Sequence, residues 1–381
     1  MLFRKILVRA TNWVGDAVMS LPALQALHAN YPEARISLLA RPWVADLYKR
    51  EPFCDEVIPY EAPRGARGLR TKWNLSSDLR ERRFDCAVLL PNSFESALVV
   101  RLARVPVRVG YRRDGRGWLL THDVPIPKPG EIPRHERFYY LELLRRSGLI
   151  SSYAGDCHIR LAGSQAAAAK GRAAFQALSV QEPVIGIAPG AAYGGAKRWL
   201  PDRFADAATK VAQDFQGQCS FALFGSESER PVCELVEKGL SARGQRALNL
   251  AGRTSLGEFI ELAAACRLFL TNDSGPMHIA SALGVPTVAI FGATDHLATG
   301  PTGSWSRVVR EPVECSPCLL RECPIDHRCM THVSAVRVRA EASSLLDIEK
   351  EVGAANYYNS DGLFGHTEQN YIGRGSPDTL S

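Results

Sequence analysis

At 381 residues, 46% hydrophobic and 23% charged, the chain is long enough for two hydrophobic cores, and its composition excludes disordered, fibrous and low-complexity classes. No run approaches the roughly 20 apolar residues of a membrane-spanning helix, and Arg9 and Asp16 interrupt the apolar opening as a secretory leader, so a cytoplasmic protein is expected. The net charge of +6 is uneven: residues 1–165 hold 26 Lys and Arg against 17 Asp and Glu, a net of +9, and the remainder sums to −3. The first half therefore suits an anionic partner or a membrane surface, and no nucleic-acid partner is expected.

In chain order, KILVR at 5–9 reads as a buried strand, followed by a loop over 10–15 and a helix from about Asp16 with Val18, Leu21, Leu24 and Leu27 on one side. This sets Asp16 at the mouth of the first strand, in the first turn of the first helix. Strands at 35–40, 55–59, 84–90 and 108–111 alternate with helical stretches at 44–49, 69–83 and 94–103, the rhythm of a parallel sheet covered by helices. A helix over 134–147 closes the first domain.

The region 149–182 holds an alanine-rich helix near 165–178 and the domain junction, giving domains over 1–165 and 180–348. The second series opens with VIGIA at 184–188 as a strand. A helix over 202–215, a strand at 219–224, a helix near 231–240 and a capping-box start at Ser255 with Glu258 come next. The best-specified stretch is RLFLTNDSGPMHIASALGVPTVAIFG, 267–292: strand, helix, strand. Its helix is expected to start at Pro276 under caps from Asp273 and Ser274 and to stop at Gly284 and Pro286. A helix over 333–348 follows, and 349–381 reads as a polar, flexible tail.

Three loops at the carboxyl ends of strands in the second domain converge on a site for a nucleotide diphosphate. Lys197 neutralises a phosphate, the amides of Ser274 and Gly275 at a helix N-terminus hold it, and Glu227 accepts from ribose hydroxyls. Asp273 and His278 stand one turn apart beside them. The chain has neither G-x-G-x-x-G at a strand–helix turn nor G-x-x-x-x-G-K-[ST], which weighs against a dehydrogenase or a P-loop enzyme. In the first domain, Arg64, Arg67, Arg70 and Lys72 form a basic, glycine-containing segment suited to anionic sugars and lipid phosphates. Cys315, Cys318, Cys323 and Cys329, with His327 among them, are spaced closely enough to raise a structural zinc site, although only the first gap is typical of one.

NWVGDAVMSLPAL, APGAAYGGAKRWLP and TNDSGPMHIASALGVPTVAIFG, in this order, resemble the glycosyltransferase family 9 heptosyltransferases over about residues 1–348. The resemblance implies a GT-B architecture, two Rossmann-like domains facing across a cleft, with the sugar-nucleotide donor on the second and the acceptor on the first. It implies inverting transfer of L-glycero-D-manno-heptose from ADP-heptose to the first heptose of the lipopolysaccharide inner core, a lipid A-Kdo-heptose acceptor, at the cytoplasmic face of the inner membrane. No cofactor is implied. Asp16 matches the acid of the family motif and is expected to be the general base, with Lys197 stabilising the departing diphosphate and Asp273 and His278 shaping the donor pocket. Two other readings stand beside it: a family 9 transferase with a different acceptor, and a sugar-nucleotide-binding protein without turnover.

Overall fold

The computed structural model describes residues 2–61 and 66–357, with backbone alone for 66, 67, 69 and 348–357. Two all-parallel sheets of six strands organise it. The first contains β1 (Lys5–Arg9), β2 (Arg35–Ala40), β3 (Glu56–Pro59), β4 (Cys86–Leu89), β5 (Val107–Tyr111) and β6 (His122–Val124), in the order β3-β2-β1-β4-β5-β6. The second contains β7 (Val184–Ala188), β8 (Ser220–Leu223), β9 (Ala247–Asn249), β10 (Leu268–Asn272), β11 (Thr287–Phe291) and β12 (Ser306–Arg310), in the order β12-β11-β10-β7-β8-β9. The central strands are buried, apart from Lys5 at the start of β1, as the apolar runs ILV, VIGIA and TVAIF require when helices cover both faces.

In each sheet the order reverses beside the first strand. β1 lies between β2 and β4, and β7 lies between β8 and β10. At such a reversal the loops leaving neighbouring strands diverge and open a crevice at their carboxyl ends. β1 delivers Asp16 to one crevice, while β7 and β10 deliver Lys197 and Asp273 to the other.

The two halves pack against each other through small-residue contacts and a few polar ties. Helix Val14–Met19 lies on helix Gly275–Ala282, and helix Pro42–Tyr48 on helix Leu256–Ala264. Arg50 pairs with Glu261 at 2.7 Å, Arg134 with Asp295 at 2.7 Å, and the Glu136 amide donates to the Ala298 carbonyl at 2.9 Å. Helix Ser164–Ala177, placed near the junction by the sequence, packs on helix Leu256–Ala264 of the second sheet.

Four departures from expectation have local causes. The first helix is two, Val14–Met19 and Leu21–Asn30, because Pro22 lacks the N–H that would bond back to Val18. The edge strands β6, β9 and β12 were not anticipated; β6 and β9 are only three residues long. Ser274 occupies the N-cap of helix Gly275–Ala282 without a capping side-chain bond, because Asp273 is engaged elsewhere and Ser274 Oγ lies 3.3 Å from Thr271 Oγ1. The last helix, Ala335–Tyr357, runs past residue 348, and the rest of the expected tail, 358–381, lies outside the described residues.

Candidate active site

Asp16 is carried by the short bend at Asn12 and Trp13 out of β1 into the first turn of helix Val14–Met19. The closeness of the second half depends on two glycines here. A Cβ on Gly15 would fall 2.9 Å from His278 Cδ2, and one on Gly275 would fall 3.1 Å from Val14 Cβ, so the two helix starts meet only because neither residue has a side chain. Burial raises the Asp16 carboxyl above the ordinary carboxylate range, and the charge of Lys197 partly pulls it back. A carboxylate raised in this way is a better proton acceptor than an exposed one.

On the facing side, β7 leads through Gly190 to the turn Gly195–Lys197, and β10 ends at Asn272 beside it. Asn272 joins the two loops: its Oδ1 accepts from the Trp199 amide at 3.0 Å, and its Nδ2 donates to the Pro189 carbonyl at 2.8 Å. Lys197 Nζ lies 2.6 Å from Asp273 Oδ2, with side chains 14% and 4% exposed, and Thr294 Oγ1 donates to the same oxygen at 2.5 Å. The ammonium also sits 4.9 Å from the centre of the Tyr193 ring. Lys197 is thus held by Asp273 and Tyr193 at a largely desolvated position. One turn into helix Gly275–Ala282, burial pushes the His278 imidazole down to about 4, so it is neutral at pH 7.

A cavity of about 570 Å³ lies between the halves. It brings together Asp16, Lys197, Asp273, Ser274, Gly275 and His278, all six named from the sequence. It does not take in Glu227, whose exposed carboxylate accepts from Arg230 at 3.1 Å; Glu229, two residues on, lines the wall instead. The difference arises from the short helical turn Glu227–Glu229, whose capping box at Ser226 folds Glu229 back over Gly190 and turns Glu227 outward. Of the basic segment, Arg64 and the side chain of Arg67 lie outside the described residues; Arg70 is exposed and Lys72 pairs with Glu95 at 3.0 Å. A larger open depression of about 690 Å³, along helix Ser164–Ala177, contains none of these groups.

The four clustered cysteines are free thiols. Burial and the neighbouring Cys315, Cys318 and Cys323 push Cys329 up to about 11. Among the described residues, no group of three or more His, Cys, Asp or Glu is arranged to hold a metal ion.

Several residues at the site escaped the sequence reading. Asn272, Thr294 and Tyr193 each set the position of Lys197 or Asp273. Asn272 had a legible signal, a polar residue closing an apolar strand run beside Asp273. Thr294 had none, because its contact joins two separate loops; Tyr193 had only its place four residues before Lys197 in the same loop. Phe224 and Phe259, edge to face at 5.1 Å, form an apolar end of the cavity with Leu256.

The model of the family described as glycosyltransferase family 9 (heptosyltransferase) matches residues 72–328. The chain is 36% identical over 311 residues to lipopolysaccharide heptosyltransferase 2 of Escherichia coli K12, covering 80% of this chain and 88% of that one. It is 33% identical over 310 residues to lipooligosaccharide heptosyltransferase 2 of Haemophilus influenzae, with the same coverage. Among solved structures, E. coli ADP-heptose lps heptosyltransferase II superposes with a TM-score of 0.76 at 32% identity, covering 91% of this chain and 99% of that one. The facing sheets are therefore a GT-B fold, as the resemblance implied. The chain belongs to glycosyltransferase family 9, the heptosyltransferases, and is a glycosyltransferase.

Proposed function

We propose that the enzyme transfers L-glycero-D-manno-heptose from ADP-heptose to the first heptose of the lipopolysaccharide inner core, inverting the anomeric carbon. The observation that carries this reading is the facing of a half-buried carboxylate, Asp16, against the Lys197–Asp273 pair and a helix N-terminus across one cavity. Supporting it are the relatives, which are lipopolysaccharide and lipooligosaccharide heptosyltransferases.

In this mechanism an acceptor hydroxyl attacks the anomeric carbon from the face opposite the diphosphate. The new C–O bond forms as the bond to the β-phosphate oxygen breaks, the electron pair leaves with ADP, and the hydroxyl proton passes to Asp16. The growing charge on the diphosphate is met by Lys197 and the amides of Ser274 and Gly275, groups already in place and shielded from water. Neutral His278 offers a hydrogen bond to the donor without adding a second positive charge beside Lys197. The apolar end at Phe224 and Phe259 suits the base, and Glu229 rather than Glu227 is the carboxylate available to the ribose.

The reading assigns the acceptor to residues 1–165 and the donor to 180–348. Arg70 and Lys72, with Arg64 and Arg67, are assigned to the anionic acceptor, a lipid A-Kdo-heptose at the cytoplasmic surface of the inner membrane. No helix among the described residues is long and apolar enough to cross a membrane, and the net charge of +9 over residues 1–165 favours an anionic surface. Product analysis with ADP-heptose and defined core acceptors tests the proposal. A single heptose added to the acceptor already carrying one is expected; turnover only on the acceptor carrying none would overturn the acceptor assignment.

A further inference from the structure

Residues 314–329 cross the top of the second sheet and touch both sides of the Lys197–Asp273 pair. On one side this strap is tied to the loop after β11: Leu319 N donates to the Ala293 carbonyl at 2.8 Å, and Ser316 Oγ to the Gly292 carbonyl at 2.6 Å. The next residue, Thr294, is the one that donates to Asp273. On the other side the strap holds the turn that ends in Lys197. The Ala196 amide donates to the Arg321 carbonyl at 2.9 Å, the Gly195 amide donates to Glu322 Oε1 at 2.9 Å, and His327 Nε2 lies 3.0 Å from the Ala196 carbonyl. Tyr193, under the ammonium, donates from its hydroxyl to the Leu319 carbonyl at 2.7 Å.

The approach is close enough to dictate the sequence of the turn. A Cβ on Gly194 would fall 2.2 Å from the Arg321 oxygen, and one on Gly195 would fall 2.3 Å from Glu322 Oε2. Lys197 therefore has its backbone fixed by a segment more than a hundred residues away, and its ammonium fixed by Asp273.

We infer that the strap is a positioning device for the transfer reaction, with Glu322 the residue that sets the Gly194–Lys197 turn and hence the height of the Lys197 ammonium over the diphosphate. This rests on the role proposed above for Lys197. Glu322 touches no reacting atom and acts through the turn. A misplacement of about 1 Å at a catalytic group costs up to ~100-fold in rate, so a loss of about 10- to 100-fold in kcat/KM is expected when the Glu322 carboxylate is removed.

The test is a double-mutant cycle followed by ADP release from ADP-heptose with the heptosylated core acceptor. Glu322→Ala should lower kcat/KM by that factor, mainly through kcat, and Glu322→Gln, whose amide oxygen still accepts from Gly195, should restore most of it. In a Lys197→Ala background, Glu322→Ala should have no further effect, because the group being positioned is gone. Equal losses in both backgrounds, or full activity of Glu322→Ala in the native background, would overturn the inference. Normal turnover by Lys197→Ala alone would instead overturn the role of Lys197 itself.

Discussion

The Asp16 carboxyl and the Lys197 ammonium belong to different halves of the molecule, and the charge of the second tunes the first. Burial raises Asp16 and Lys197 opposes that rise, so the pair fixes the pH at which the base is ready. The sign follows directly. Asp16 must be deprotonated to accept the acceptor proton, so kcat/KM should fall as pH drops through its raised pKa, on an acid limb above the usual carboxylate range. Replacing Lys197 with Met removes the charge that stabilises the anion; the residual activity, lower by about 10²–10³-fold, should show its acid limb at higher pH. A pH–rate profile of the two proteins checks this, and coincident limbs would show that the two groups do not communicate. Lys197 is itself expensive to bury, and Asp273, braced by Thr294, and the Tyr193 ring are what hold and orient its ammonium.

At the scale of elements, the site depends on helix starts meeting without side chains between them. Gly15→Ala would set a methyl 2.9 Å from the His278 ring. Either the His278 ring turns from its place on the cavity wall or the two helices separate; overpacking of this kind costs about 1–3 kcal/mol. Thermal denaturation should therefore show a lower Tm, and kcat/KM should fall with it. Gly155→Ala, where a Cβ meets nothing within 4 Å, serves as the control and should leave both unchanged.

These same elements show what the sequence made legible. The central strands and the helix after Asp273 were readable because their apolar runs and Pro/Gly boundaries are local signals. The strand bounds at 35–40 and 184–188 coincide with β2 and β7. The placement of Asp273 was readable because it directly follows β10, and that of Asp16 and Lys197 because each lies in the loop or helix start that leaves a strand. What escaped was set by tertiary packing: the short edge strands β6 and β9, the choice of Glu229 over Glu227 through a capping box on a three-residue turn, and the strap across Gly194–Lys197. The last joins residues too distant in sequence for any periodic pattern to relate them.

At the scale of the whole molecule, two sheets of like topology turn their order-reversal points toward each other, and the cavity is the space left between them. In the proposed mechanism each half supplies what the other lacks: a proton acceptor from the first, a grip on a leaving anion from the second. Arg50–Glu261, Arg134–Asp295 and the Glu136–Ala298 backbone bond hold the halves at this spacing. Helix Ser164–Ala177 adds a contact made possible by Gly171, where a Cβ would strike the Glu261 carbonyl oxygen at 2.0 Å.

The most direct test of this division of labour is Asp16→Asn, which keeps the shape of the residue and removes its capacity as a base. Turnover of ADP-heptose on the heptosylated acceptor should fall by about 10²–10⁴-fold, while calorimetric affinity for ADP, proposed above to be held by the second half, stays within a factor of two or so of the native value. Turnover near the native rate would contradict the account, because the carboxylate across the cavity would then have no part in the chemistry.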